Sequence, residues 1–200
     1  MKRTKTIIAA ICRTLLGVVF VFSGAVKAID PFGTVYKIED YLKAFGGFFT
    51  DLLPMADVAA WGLIILELLL GVCMVMNVRT KWTSWIALAF YCVMTPLTLY
   101  IALTNPVSDC GCFGDAIKLS PWETFFKNLV MLPMVAIVWY RYRRHRILEF
   151  KKIEILLTVA FFSIAMGLGA YSYYHLPMID FLPYKEGANI YEMITAKHDT

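Results

Sequence analysis

Five apolar runs of about 20 residues each govern what this chain can become, because a helix of that length crosses the ~30 Å hydrocarbon core of a bilayer. They fall at 7–26, 58–78, 82–104, 122–140 and 155–174. The composition agrees: 60% of the residues are hydrophobic and only 17% charged, well outside the soluble globular range. The expected fold is an all-α membrane protein, a four-helix transmembrane bundle with a fifth transmembrane helix. Residues 1–174 form the membrane domain and 175–200 a tail too short to be a domain of its own.

The connections set the orientation. Lys2, Arg3 and Lys5 precede the first run, Arg79 and Lys81 lie between the second and third, and Arg141 to Arg146 with Lys151 and Lys152 lie between the fourth and fifth. Basic connections stay in the cytoplasm. The alternate segments, 27–57, 105–121 and the tail, are poorer in Lys and Arg, so five crossings give a cytoplasmic N-terminus and a periplasmic C-terminus. The net charge of +4 arises in the basic connections and calls for no nucleic-acid partner. The N-terminal pattern, with Val26-Lys27-Ala28 after the apolar run, resembles a cleavable signal, but Arg13 within the run and the length of the run favour an uncleaved first helix.

Within the first outer segment, Val35, Ile38, Leu42 and Phe45 recur at helical spacing with Lys37, Glu39, Asp40 and Lys43 between them. This predicts a short amphipathic helix on the membrane or over the mouth of the bundle.

Chemistry concentrates in Cys110-Gly111-Cys112-Phe113-Gly114, which sets two thiols in a short polar loop on the outer face, where a disulfide can persist. A disulfide across one residue closes a small ring, and Gly111 permits the turn that such a ring demands. A strained disulfide is a ready oxidant. Its attacking sulfur has to be ionised, and Lys118 in the loop and Lys127 early in the fourth helix are the cations that sequence offers, opposed by Asp109 and Asp115. Two alternatives stay open: the pair binds copper(I), a soft metal content with few ligands, or the thiols are inert.

Three further cysteines, Cys12, Cys73 and Cys92, fall inside spans and read as small hydrophobes. Arg13 and Glu67 are charges within apolar runs; such groups face the bundle interior and find partners, which predicts an Arg13–Glu67 pair with Asn128 as a further hydrogen-bonding residue. The aromatics Trp61, Trp82, Trp85, Tyr91, Tyr100, Trp122 and Trp139 mostly fall at span ends, where interface anchoring explains them, and a quinone headgroup would also sit among such residues.

These residues resemble the MauE-like branch of the DoxX superfamily. The similarity rests on Arg13-x-x-Leu16-Gly17, Phe22-Ser23-Gly24-x-x-Lys27, Glu67 with Gly71, and above all the Cys110–Gly114 motif followed by Trp122 and Asn128. The resemblance implies a four-helix integral membrane unit of the bacterial inner membrane that works with a periplasmic thioredoxin-like protein or disulfide-rich client. Cys110 and Cys112 take the place of the family's cysteine pair, and Arg13, Lys27, Glu67 and Asn128 that of its polar helix positions. The fifth helix and the tail depart from the simplest members. The function so implied is thiol-disulfide exchange with the periplasmic partner, with a quinone as the candidate membrane end of the electron path and the direction of flow open. The alternatives are a non-catalytic assembly or anchoring subunit and a copper-handling protein.

Overall fold

A computed structural model describes residues 2–105, 111–117, 119–143 and 152–175. Six α-helices make up nearly all of it: α1 (Lys2–Ile29), α2 (Pro31–Phe45), α3 (Ala56–Val75), α4 (Thr80–Thr104), α5 (Pro121–Tyr142) and α6 (Lys152–Tyr174). A 3-10 stretch, Gly47–Met55, leads into α3, and a short extended segment, β1 (Cys112–Asp115), lies between α4 and α5. Among the described residues, three helices are long and apolar enough to cross a membrane, over Thr6–Ile29, Gly47–Val75 and Thr80–Thr104. The other two expected spans are α5 and α6, of 22 and 23 residues. In α5, Glu123, Lys127 and Asn128 dilute the first two turns.

The lipid-facing side is legible on α1. Ile7, Ile8, Ile11, Leu15, Val18 and Phe22 follow helical spacing and are all exposed, a stripe that water would not tolerate and acyl chains cover. The opposite face of α1 packs chiefly on α3, while α4 packs on α5. Leu16 and Phe20 of α1 meet Leu70 and Met74 of α3, Ala87 and Tyr91 of α4, and Val135 and Val138 of α5 in the main core.

Small residues bring α1 and α3 together, as lipid-embedded helices without a hydrophobic drive between them require. A methyl group on Gly71 would stand 2.5 Å from the backbone nitrogen of Val21, and one on Gly24 would stand 3.0 Å from that of Leu68. This crossing places residue 24 against residue 68, and so fixes what the polar residues near the end of α1 can reach.

The expected amphipathic helix is α2. Pro31 opens it at the first turn and the Asp30 side chain caps it by accepting from Gly33 N at 2.9 Å. Val35 is buried against Ala56 and Ala60 of α3, with Ile38 and Leu42 beside it, so α2 lies on the bundle. Helix α5 starts in a capping box, where Glu123 N donates to Ser120 Oγ at 3.3 Å and Ser120 N donates to Glu123 Oε2 at 2.8 Å. Helix α6 packs on α1, α2 and α3.

Candidate functional site

The described part of the cysteine motif folds as a tight turn. Gly111 and Gly114 have φ of +58° and +55°, in the left-handed region, and Gly114 N donates to Gly111 O at 3.0 Å. Phe113 and Ile117 then pair antiparallel. The freedom expected of Gly111 is thus used. Cys112 is half-buried; Cys110 and Lys118 lie outside the described residues.

The turn is held from three sides. Ser23 Oγ donates to the Cys112 carbonyl at 2.6 Å, and Lys27 Nζ donates to the same oxygen at 2.7 Å. Phe113 packs edge-on to Phe22 at 5.5 Å between centroids and receives Lys127 Nζ over its ring at 4.4 Å. From above, the aliphatic stem of Lys37 lies against Gly111, where a methyl group would meet Lys37 Cγ at 3.0 Å.

Lys27 is the hub of this arrangement. Only 2% exposed, it donates also to Ser23 Oγ at 2.7 Å and to both carboxylate oxygens of Glu67, at 2.7 Å and 3.0 Å. Three protons thus meet three partner groups, which is what a buried ammonium needs.

The expected Arg13–Glu67 pair does not form. Arg13 Nη1 donates instead to the carbonyls of Met74 and Val75 at the end of α3. The physical reason is register: with residue 24 against residue 68, Glu67 falls beside the last turns of α1, and Arg13 falls beside the carbonyls at the end of α3. Asn128 is buried as expected, but its Nδ2 donates to Thr98 Oγ1 at 3.2 Å and not to the charged pair. Lys127 does reach the loop.

Beneath the turn, a cavity of about 340 Å³ opens between α1, α2, α3, α4 and α5. Its walls are mainly apolar and aromatic, while Ser23, Lys27, Glu67, Tyr91, Lys127 and Asn128 supply polar groups beside Cys112. That is the usual build of a small-molecule pocket, near the lower end of the ~300–1,000 Å³ range. Tyr91, read from sequence as an interface anchor, is 3% exposed and belongs to the core and to this cavity. Sequence reasoning also missed Lys37 and Ser23 as neighbours of the turn. Lys37 gave a signal in the polar face of α2, and Ser23 one in its spacing of four from Lys27, but neither signal identifies the loop as the partner.

The thiols of Cys12, Cys73, Cys92 and Cys112 are all free. Among the described residues, no group of three or more His, Cys, Asp or Glu side chains is placed to hold a metal ion.

A family model described as "Methylamine utilisation protein MauE" matches residues 5–141, which takes in α1 to α5 and the cysteine loop. No curated protein and no solved structure matches the chain.

Proposed function

The chain belongs to the MauE family, and from that premise we propose that this multi-pass membrane protein is a thiol-disulfide oxidoreductase of the bacterial inner membrane. It exchanges electrons through Cys110 and Cys112 with a periplasmic thioredoxin-like protein or disulfide-rich client, in support of protein maturation. The observation that carries this reading is the placement of Cys112 on a turn pinned by Ser23 and Lys27 at the head of a membrane cavity.

In the exchange, a thiolate of the pair attacks one sulfur of the partner's disulfide and the partner's other sulfur leaves, giving a mixed disulfide. The second thiol of the pair, after losing its proton, attacks the mixed disulfide. The pair ends as a disulfide and the partner as a dithiol, two electrons and two protons having passed. The two reduction potentials set which way it runs. The Ser23 and Lys27 bonds hold the backbone of the turn fixed while sulfurs change partners.

The topology in this reading has five membrane helices, with the N-terminus in the cytoplasm and the cysteine turn in the periplasm. In support, Arg141 Nη2 donates to Thr6 Oγ1 at 3.4 Å and Arg13 sits at the end of α3, so the start of α1, the end of α3 and the end of α5, which adjoin the basic stretches of the sequence, gather at one end of the bundle. The turn lies at the other. The cavity suits a quinone ring in size and lining. Lys127 and Asn128 would hold its polar edge, Asn128 having one of its two N–H groups committed to Thr98. When bound, a quinone supplies an acceptor for two electrons and two protons.

Thiol trapping during redox titration of the protein in membranes tests the proposal, with Cys110→Ser and Cys112→Ser beside the wild type. Reversible titration of the pair and a trapped mixed disulfide in one variant are expected. Thiols that stay reduced under oxidising conditions would refute it. If a double Cys→Ala variant still supports the pathway and still co-purifies with the partner, the protein is an assembly subunit instead.

A further inference from the structure

We propose that Tyr91 of α4 is a ligand-binding residue of the cavity, its phenol hydroxyl donating to an oxygen of the quinone-type ring bound there. The inference deepens the quinone part of the reading above and rests on it. Tyr91 is 3% exposed and walls the cavity. Among the described residues its hydroxyl has no hydrogen-bond partner. Unlike the hydroxyls of Thr95 and Thr124 it is not sealed in packing, so it opens on the cavity. A buried tyrosine normally finds a partner for its hydroxyl, because an unpaired one forfeits its hydration without return.

Packing alone does not call for that oxygen. The Tyr91 ring stands edge-on to Phe20 of α1 at 5.6 Å and to Phe90 at 5.6 Å, and these two stand edge-on to each other at 5.5 Å. Phenylalanine at this position would complete the triad of rings and bury no polar atom. All three rings line the cavity, so they form an aromatic wall that carries a single hydroxyl.

The strong acceptors of the cavity wall are engaged by other groups. Both Glu67 oxygens accept from Lys27, the Cys112 carbonyl accepts from Ser23 and Lys27, and Thr98 Oγ1 accepts from Asn128. What the cavity offers a ligand is therefore mainly donors: the Tyr91 hydroxyl, an Asn128 N–H and the Lys127 ammonium. Such a set suits a ring that carries oxygen acceptors and no donors, as an oxidised quinone does. Tyr91 lies two helical turns, ~10 Å along α4, before Thr98, the residue bonded to Asn128. A para-quinone has its carbonyl oxygens on opposite edges of the ring, and donors at two levels answer them: Lys127 and Asn128 at one edge, Tyr91 at the other.

The test is the affinity of the purified full-length protein in detergent for decylubiquinone, measured by isothermal titration calorimetry against empty micelles for the wild type and Tyr91→Phe. The thermal midpoint of each protein free of ligand is measured beside it. Tyr91→Phe is expected to weaken binding about three- to tenfold, the effect of one hydrogen bond, and to hold or raise the ligand-free midpoint, since no contact within the protein is lost. An unchanged affinity would overturn the inference and leave the quinone reading in place. A lower ligand-free midpoint would overturn it too, because the hydroxyl would then be serving the fold. If decylubiquinone does not bind the wild type, the inference and the quinone site fail together, while thiol trapping decides the oxidoreductase reading separately.

Discussion

Replacing Lys27 by Met would leave the carboxylate of Glu67, itself 5% exposed, in the protein interior without its cation. The same change removes a donor from the Cys112 carbonyl, which keeps only Ser23 Oγ at 2.6 Å, and a donor to Ser23. Breaking a buried pair from one side typically costs ~3–5 kcal/mol, because the surviving charge stays desolvated. Glu67→Leu should cost a similar ~3–5 kcal/mol, since the ammonium then keeps only Ser23 and a carbonyl. The Lys27→Met/Glu67→Leu double variant removes both charges from a site lined by apolar groups, and such replacements are often neutral or stabilising. It should therefore lie within ~1–2 kcal/mol of wild type, the residue being the lost clamp on Cys112 at about 1 kcal/mol per hydrogen bond. Reversible unfolding by SDS titration in mixed micelles, run as a double-mutant cycle, measures this directly. If the double variant loses the sum of the two singles, or if either single costs less than ~1 kcal/mol, the pair is not the buried, mutually dependent unit described here.

Two further outcomes follow from the packing around this unit. Gly71→Ala drives a methyl group to 2.5 Å from Val21 N, so α1 and α3 must separate, at a cost of ~1–3 kcal/mol in the same unfolding assay and a lower thermal midpoint in detergent. Asn128→Leu removes only the bond to Thr98, worth on average ~0.6 kcal/mol between membrane helices, so stability should hardly change. The same variant should weaken a short-chain quinone analogue as oxidant of the dithiol in nanodiscs; unchanged oxidation rates would separate Asn128 from the cavity's proposed ligand.

The helices were legible because an apolar run of membrane length allows few other structures. Helix α2 was legible because Val35, Ile38 and Leu42 keep a helical period and do pack together under it. The turn was legible because Gly111 separates the two cysteines and adopts the left-handed conformation. What sequence could not supply was the partner of each buried charge. Arg13 and Glu67 stand out because apolar residues surround them, whereas Lys27, at the end of its run, looks like an ordinary interfacial lysine. Helix α1 in fact continues to Ile29, which draws Lys27 into the bundle, and the glycine-mediated crossing decides the pairing. That crossing is a property of two helices at once, so no period within either one encodes it. Tyr91 was misread for a related reason: from its own helix alone, an aromatic residue that anchors at an interface and one that faces a cavity look the same.

Helix α6 meets α1, α2 and α3, with Phe162 and Ala165 packed beside Ala28, Ile64 and Leu68. Among the described residues, it contributes nothing to the wall of the cavity or to the clamp on the turn. The protein thus separates two tasks in space. In the proposed topology, changes along the outer face of α6 alter which lipids or proteins stand next to it, and they do so without moving a side chain that lines the cavity. A lineage can exchange its neighbours while the turn and the cavity stay the same.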